Sequence, residues 1–237
     1  MTLEQKLINR FNKAIFDYNL IEDNDKILVG LSGGKDSLCL LDMMAKRQRI
    51  FKPKFTFEAV HIRMQNIAYE SDTSYLESFA SQRNVNLHIL TTSFDASTDK
   101  RKSPCFLCSW NRRKQMFALA RKLDCNKIAL GHHRDDIIQT TMMNLFFQGR
   151  YGTMPVILKL DKMPFSIIRP LCFEDEADIR QYAEQEGYVG QKKTCPYEDT
   201  SHRADMKRLL SEIEKINPEA RYSIWNALER EGKLTEE

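Results

Sequence analysis

A short apolar run, Ile27-Leu28-Val29, leads directly into Gly30-Leu31-Ser32-Gly33-Gly34-Lys35-Asp36-Ser37, and Leu38, Leu40, Leu41 and Met44 follow at helical spacing. A strand that turns through two glycines into a helix leaves backbone N–H groups unpaired at a helix N-terminus, where an anion is favoured. Gly33 and Gly34 let the backbone approach a phosphate closely and adopt conformations that a side chain forbids. Lys35 adds a point charge, and Ser32 and Ser37 add hydroxyl donors. The segment therefore predicts a strand–loop–helix unit whose loop is chemically complete for pyrophosphate, in a chain that binds and uses ATP. The ordinary alternative is a plain glycine turn. The glycines fit neither the mononucleotide pattern of two glycines four residues apart before Lys-Ser/Thr nor the three-glycine dinucleotide fingerprint.

The same alternation runs through the rest of the chain. Residues 55–62, 87–91, 127–130 and 167–171 read as further strands, and 74–83, 109–123 and 135–147 as helices between them, the last with Ile137, Ile138, Thr141, Met142 and Leu145 inward. A leading amphipathic helix over 3–19 presents Leu3, Leu7, Ile8, Phe11, Ile15 and Phe16. Helices near 175–186, 203–216 and 221–230 close the chain. Strands separated by helices of this length imply an α/β fold, a doubly wound parallel sheet of about five strands with N-terminal and C-terminal helices. Ligands of such sheets collect at the carboxyl ends of the strands, so 30–37 and 131–136 should open on one crevice.

At 237 residues, 42% hydrophobic and 29% charged, the chain suits one domain, with a leading helix over 1–22, an α/β core over 23–175 and a helical part over 176–237. No stretch reaches the about 18 consecutive apolar residues of a membrane span, and the first residues lack the apolar run of a signal peptide. The expectation is a cytoplasmic protein with no membrane partner. A net charge of +3 neither requires nor excludes nucleic acid. Six cysteines without an export signal read as reduced, metal-bound or reactive rather than disulfide-bonded. Cys39, Cys125 and Cys172 lie in apolar surroundings and read as buried small hydrophobes. Cys105, Cys108 and Cys195 lie in polar segments beside proline.

Gly131-His132-His133-Arg134-Asp135-Asp136 is the second constellation. Two adjacent carboxylates at a helix start can cap its N–H groups, and either Asp135 or Asp136 can hold Mg2+ against phosphate oxygens. Adjacent histidines seldom aim at one metal, which argues against a zinc pair. Pro104-Cys105-Phe106-Leu107-Cys108 precedes the predicted helix, where the helix N-terminus and nearby cations lower thiol pKa. A lone CxxC leaves three readings open: a redox pair, half of a zinc site, or chance. Cys195 offers a third ligand, and His202 is the nearest option for a fourth. Three thiolates with an open position suit an iron–sulfur cluster with one unprotected iron, whereas structural zinc prefers a closed set of four. Between residues 101 and 122 lie Arg101, Lys102, Arg112, Arg113, Lys114, Arg121 and Lys122 without an acid, interleaved with Trp110 and Phe117. Such a helix can hold a phosphate backbone and stack a base, or be a solvated face.

The hexapeptide at 32–37 resembles the PP-loop of the ATP pyrophosphatases, which cleave ATP at the α-phosphate. Together with Pro-Cys-Phe-Leu-Cys-Ser at 104–109, Gly-His-His-Arg-Asp-Asp at 131–136, Ile-Arg-Pro-Leu at 168–171 and Cys195 ahead of a basic helix, it resembles the TtcA-type tRNA 2-thiocytidine synthetases over most of 26–228. That resemblance implies ATP with Mg2+ on the loop, a [4Fe–4S] cluster on Cys105, Cys108 and Cys195, and a cytidine in a tRNA anticodon loop as substrate. Lys35, Asp36, Asp135 and Asp136 form the expected catalytic set. Ser32, Gly33, Gly34, Lys35, Asp36, Ser37, His61 and Gly131 form the expected cofactor-binding set. A sulfur donor such as a cysteine desulfurase or sulfide is the implied partner, and a homodimer is among the expectations. Two alternatives remain at this level: another PP-loop adenylating enzyme with zinc, and a non-catalytic ATP- or cluster-dependent nucleic-acid-binding sensor.

Overall fold

The computed structural model describes residues 1–95, 97, 103–194 and 202–236. Helix α1 (Leu3–Asp17) begins at a reciprocal capping box, in which Gln5 N donates to Thr2 Oγ1 and Thr2 N to Gln5 Oε1. Leu7, Phe11, Ala14 and Ile15 turn inward, while Phe16 stays 64% exposed beneath the Arg47 guanidinium, 5.5 Å from its ring centre.

Strands β1 (Lys26–Gly30), β2 (Thr56–Met64), β4 (Leu87–Thr92), β5 (Lys127–Ala129) and β7 (Ser166–Ile168) pair in parallel, and β1, β5 and β7 carry short apolar runs, Ile27-Leu28-Val29, Ile128-Ala129 and Ile167-Ile168, as strands covered on both faces should. Among the described residues the sheet has seven strands where about five are expected, because β6 (Ile157–Lys159) pairs antiparallel with β7 and β9 (Thr235–Glu236) adds beyond it. Spatial order is β4-β2-β1-β5-β7-β6-β9. The chain first builds outward from β1 through β2 to β4, then returns to build the other way from β5. The switch point therefore lies between β1 and β5. A separate two-stranded ribbon joins β3 (Ala68–Tyr69) to β8 (Lys193–Thr194), with Ala68 opposite Thr194.

One face of the sheet packs on α1, α2 (Lys35–Gln48), α3 (Ser74–Ser81) and α6 (Glu176–Gln185), through Phe11, Leu41, Leu76 and Ile179. On the other, Leu28, Val60 and Ile128 meet Met116, Leu119 and Ala120 of α4 (Pro104–Lys122). Helix α5 (Arg134–Gln148) buries Ile138 and Met142 against Met206 and Leu210 of α7 (Arg203–Ile216), and α8 (Ala220–Arg230) packs beside them. Leu145, expected inward, is 47% exposed because the inward stripe of α5 ends at Met142. Cys39, Cys125 and Cys172 are buried as expected, and burial raises all three thiols, which makes them inert. No helix among the described residues is long and apolar enough to cross a membrane.

Candidate functional site

The glycine loop leaves the carboxyl end of β1 at the switch point. Leu31 N donates to Val60 O at 2.8 Å, and His61 Nδ1 faces Leu31 O at 2.7 Å, so two contacts from β2 fix where the loop begins. Gly33 adopts φ +88°, a conformation that L side chains rarely take. Ser37 works inside the loop: its Oγ accepts from Gly33 N at 3.1 Å and from Ser32 Oγ at 3.1 Å, and donates to Gly34 O at 2.8 Å. Gly34 is the N-cap of α2, without a side-chain cap, and while Ser37 N turns back to Gly34 O at 3.1 Å, Lys35 N and Asp36 N are left for a ligand.

Gly131 brings the second segment against this loop. A Cβ there would stand 3.0 Å from the Asp36 carbonyl carbon and oxygen and 3.1 Å from Ser37 N, so a side chain at 131 would push the two backbones apart by a few tenths of an ångström. A further segment crosses the loop from above. Gln191 N donates to Gly33 O at 2.9 Å, and Gln191 Cβ would lie 2.7 Å from any Cβ at position 33. Nothing in the local sequence marks Gln191.

The charged groups of the site divide by partner. Lys35 Nζ lies 3.1 Å from Asp36 Oδ1 and 3.5 Å from Glu176 Oε1. Glu176 also receives Arg180 at 2.8 Å and Lys207 at 2.6 Å. Burial opposes its ionisation, but these cations outweigh burial and hold the carboxyl down at about 2. His133 Nε2 sits between two acids, 3.8 Å from Asp36 Oδ1 and 3.4 Å from Asp136 Oδ2. Asp136 accepts from His133 N at 3.2 Å, capping its own helix, and from Arg203 at 3.0 Å. Asp135 is buried and committed elsewhere: its Oδ2 accepts from Glu176 N at 2.8 Å, capping α6, and its Oδ1 pairs with the Arg221 guanidinium. Adjacent acids on a helix point about 100° apart, so the two carboxylates serve different partners.

His61 is 1% exposed. Burial lowers its pKa, Arg112 and Arg63 add to that, and Nε2 is left without a hydrogen-bond partner. The neutral ring can offer this nitrogen to a ligand donor. His132 is likewise pushed down by burial and by Arg169.

Helix α4 starts at Pro104 instead of 109, so Cys105 and Cys108 lie within its first turns rather than ahead of it. Ser103 caps it by accepting from Phe106 N at 3.2 Å, and Pro104 fits the first helical position, where no N–H is needed. Cys105 is exposed, whereas Cys108 packs against Met64, Ile67 and Phe94 together with Tyr69. Tyr69 belongs to β3, whose partner strand β8 ends at Thr194, the residue before Cys195. Cys195, Arg101 and Lys102 lie outside the described residues. His202 stacks on Phe147 at 4.4 Å between ring centres, with Nδ1 3.4 Å from Asp205. Among the described residues no three His, Cys, Asp or Glu side chains form a metal cage.

On the outer surface of α4, Phe106 and Trp110 are exposed and stack nearly parallel at 6.4 Å, as i,i+4 neighbours do. Phe117, expected beside Trp110 on a base-stacking face, turns inward and meets Phe165 edge-on at 5.0 Å. Arg112 is drawn to Tyr69 at 3.0 Å, while Arg113, Lys114, Arg121 and Lys122 are exposed.

Residues 3–192 match a family model described as a PP-loop domain. The tRNA-cytidine(32) 2-sulfurtransferase of Shewanella woodyi is 36% identical over 234 residues, covering 96% of this chain and 72% of that protein. The tRNA-cytidine(32) 2-sulfurtransferase 1 of Francisella tularensis subsp. novicida is 35% identical over 232 residues, covering 95% of this chain and 86% of that protein. Among solved structures, the U34-tRNA thiolase NcsA from Methanococcus maripaludis with its [4Fe-4S] cluster superposes with a TM-score of 0.80 at 25% identity, covering 99% of this chain and 80% of NcsA.

Proposed function

This chain belongs to the PP-loop family of tRNA-cytidine 2-sulfurtransferases, and we propose from that premise that it uses ATP to replace the C2 oxygen of a tRNA anticodon-loop cytidine, number 32 in its relatives, with sulfur. The observation that carries this reading is the path of residues 191–194. The same stretch hydrogen-bonds the phosphate loop at Gly33 and runs, as β8, beside the Tyr69 patch against which Cys108 packs, immediately ahead of Cys195.

The pyrimidine C2 oxygen is a poor leaving group, so it must first be activated. In the proposed reaction it attacks the α-phosphorus of ATP; an O–P bond forms, the α–β anhydride bond breaks, and pyrophosphate leaves. Sulfur then adds at C2, the C–O bond breaks, and AMP departs. Lys35 and the loop N–H groups neutralise charge on the phosphates, where preorganised donors have their largest effect. Lys35 exchanges its contacts with Asp36 and Glu176 for phosphate oxygens. His61 Nε2 takes a ligand donor on the β2 side of the crevice.

The donor set fits Mg2+, which takes one or two carboxylates and fills its remaining positions from phosphate and water. Asp36 Oδ1 is buried without a hydrogen bond, and Asp136 stands across His133 from it, so these two acids are the ligands we assign. Asp135 serves instead to join α5, α6 and α8. Cys105 and Cys108, one helical turn apart at the positive end of a basic helix, fit the thiolate ligands of a [4Fe–4S] cluster, with Cys195 as the third. Such a cluster, with one iron lacking a protein ligand, would supply sulfur to the activated carbon. The sulfur itself comes as sulfide, or from a cysteine desulfurase whose persulfide sulfur a thiol reductant brings to the sulfide level, and a tRNA substrate accords with a cytoplasmic protein.

Nucleoside mass spectrometry of tRNA from cells lacking the protein tests the reading. Loss of 2-thiocytidine is expected; loss of a wobble 2-thiouridine instead would move the substrate to that of NcsA, and an unchanged profile would refute both. Anaerobic purification should give stoichiometric iron and sulfide, and a colourless zinc-only protein would exclude the cluster.

A further inference from the structure

Strand β7 ends at Ile168, opposite Ala129 of β5, and Arg169 follows at the carboxyl edge of the sheet. Only 6% of Arg169 is exposed. Its Nη1 donates to Pro155 O, its Nε is buried with no hydrogen-bond partner, and it forms no ion pair among the described residues. Buried charges are ordinarily paired, because removing a lone charge from water is expensive. Arg47 is also buried with an unpartnered Nε, but it stacks on Phe16 at the far end of α2. Among the described residues Arg169 has no such aromatic partner, and it stands at the edge where ligands collect.

Its surroundings are suited to an anion. Burial first, then the nearby Arg113 of α4, lower the guanidinium to about 10, while Cys172, Asp136 and Glu236 oppose them. His132 lies beside Arg169, neutral, with its Nδ1 buried and unpartnered. Arg203 of α7 reaches the same place, pairing with Asp136 at 3.0 Å. Arg169, Arg113 and Arg203, from three separate parts of the chain, thus gather near two carboxylates, Asp136 and Glu236, and one neutral imidazole. With strands about 4.8 Å apart, β7 stands two strands, roughly 10 Å, from β1 and its phosphate loop. It is on the side of β1 opposite β2 and His61.

We propose that Arg169, with His132 and Arg113, binds a phosphate group at the β5–β7 edge of the crevice, supplied by the RNA backbone beside the target nucleotide or by the pyrophosphate leaving ATP. The proposal rests on the tRNA- and ATP-dependent reading above. It is tested on the purified, cluster-loaded protein with two probes, an anticodon stem-loop RNA with a cytidine in its loop and inorganic pyrophosphate with Mg2+. Arg169→Lys keeps the charge and loses the planar fork; Arg169→Gln loses both. Arg169→Gln should weaken one probe about ten- to hundredfold at unchanged melting temperature, and Arg169→Lys less.

Weakening of the stem-loop, with a salt dependence shallower by about one phosphate contact, assigns the RNA backbone. Weakening of pyrophosphate assigns the leaving group, and weakening of both at unchanged melting temperature means that the two share the site. Wild-type binding of both probes that Arg169→Gln leaves intact overturns the proposal and spares the function. Wild-type protein that binds neither probe overturns both. Loss of both probes together with a fall in melting temperature in Arg169→Lys and Arg169→Gln alike makes Arg169 structural and overturns the assignment.

Discussion

Glu174 carries a pH dependence of the opposite sign to that of most carboxylates. Its side chain is fully buried, and neither oxygen finds a hydrogen bond among the described residues. The nearest counter-charge is Arg10 at 3.6 Å, which also serves Asp175 at 3.4 Å and Asp178 at 2.6 Å. Desolvation therefore dominates, Asp178 and Asp175 add to it, Arg10 only partly offsets it, and the carboxyl is raised from 4.5 to about 8. Between these values the folded protein holds a proton that the unfolded chain has released. Stability from this group is thus fully present below about pH 4.5 and is lost as pH rises toward 8.

The gap is about 3.5 pH units, and each unit is worth about 1.4 kcal/mol, so the full swing is about 5 kcal/mol. That is a large part of the roughly 5–15 kcal/mol by which a folded domain is stable. Glu174→Gln keeps the shape and removes the titration. Urea unfolding of both proteins should show wild type losing several kcal/mol between pH 5 and pH 9, with the variant losing about 2–5 kcal/mol less. At pH 5 the variant should be equal or weaker by about 1 kcal/mol, since its amide brings donors that need partners. Cys39 and Cys172 cannot mimic the effect, because burial holds both thiols well above their ordinary value. Parallel pH dependences in the two proteins would refute the reasoning.

Gly131→Ala should lower ATP affinity more than tenfold in a calorimetric titration and cost about 1–3 kcal/mol of stability. The new methyl meets backbone at 3.0 Å on Asp36, which cannot swing aside, so undiminished affinity would contradict the loop contact. Cys195→Ala should abolish thiolation and reduce bound iron while leaving ATP binding intact; equal loss of both would make Cys195 merely structural. Asp135→Asn breaks a buried pair with Arg221 and the cap on α6, so it should cost about 3 kcal/mol or more in thermal melts. Asp136→Asn should cost less stability but raise the Mg2+ concentration needed for turnover, and identical behaviour of the two variants would contradict their separate roles.

The phosphate loop, the parallel sheet and its crevice were legible because each rests on a local pattern: glycines between strand and helix, apolar runs separated by helical periodicity, and a second segment after a strand. The edge strands β6 and β9 and the ribbon of β3 with β8 are two or three residues long, too short for any periodicity to register. Pro104 reads locally as a breaker ahead of a helix, yet it is the first residue of α4, and only the Ser103 cap distinguishes the two. Spacing alone puts Leu145 on the inward stripe of α5 and Phe117 in line with Trp110, yet the stripe ends at Met142 and Phe117 turns in to meet Phe165. Glu176, Gln191, Arg203 and Arg221 carry no local signal. They reach the site through folding of the chain's last third across it, and only tertiary contact shows that Asp135 is consumed by Arg221 while Asp136 faces the crevice.

The chemistry proposed here requires the two halves of the site to be close. An adenylated base is activated toward water as well as toward sulfur, so the carbon that receives sulfur cannot leave the crevice between steps. The covalent chain itself limits the separation. Gln191 is hydrogen-bonded to Gly33 at 2.9 Å, Cys195 follows it by four residues in the sequence, and four fully extended residues reach at most about 14 Å. The pairing of β8 with β3 directs this tether toward the patch that holds Cys108, not away into solvent. A substitution that lengthens or loosens 191–194 should therefore uncouple the two steps, leaving pyrophosphate release in place while AMP forms without thiolated tRNA. If thiolation and pyrophosphate release instead fall in strict proportion, the segment serves the phosphate loop alone.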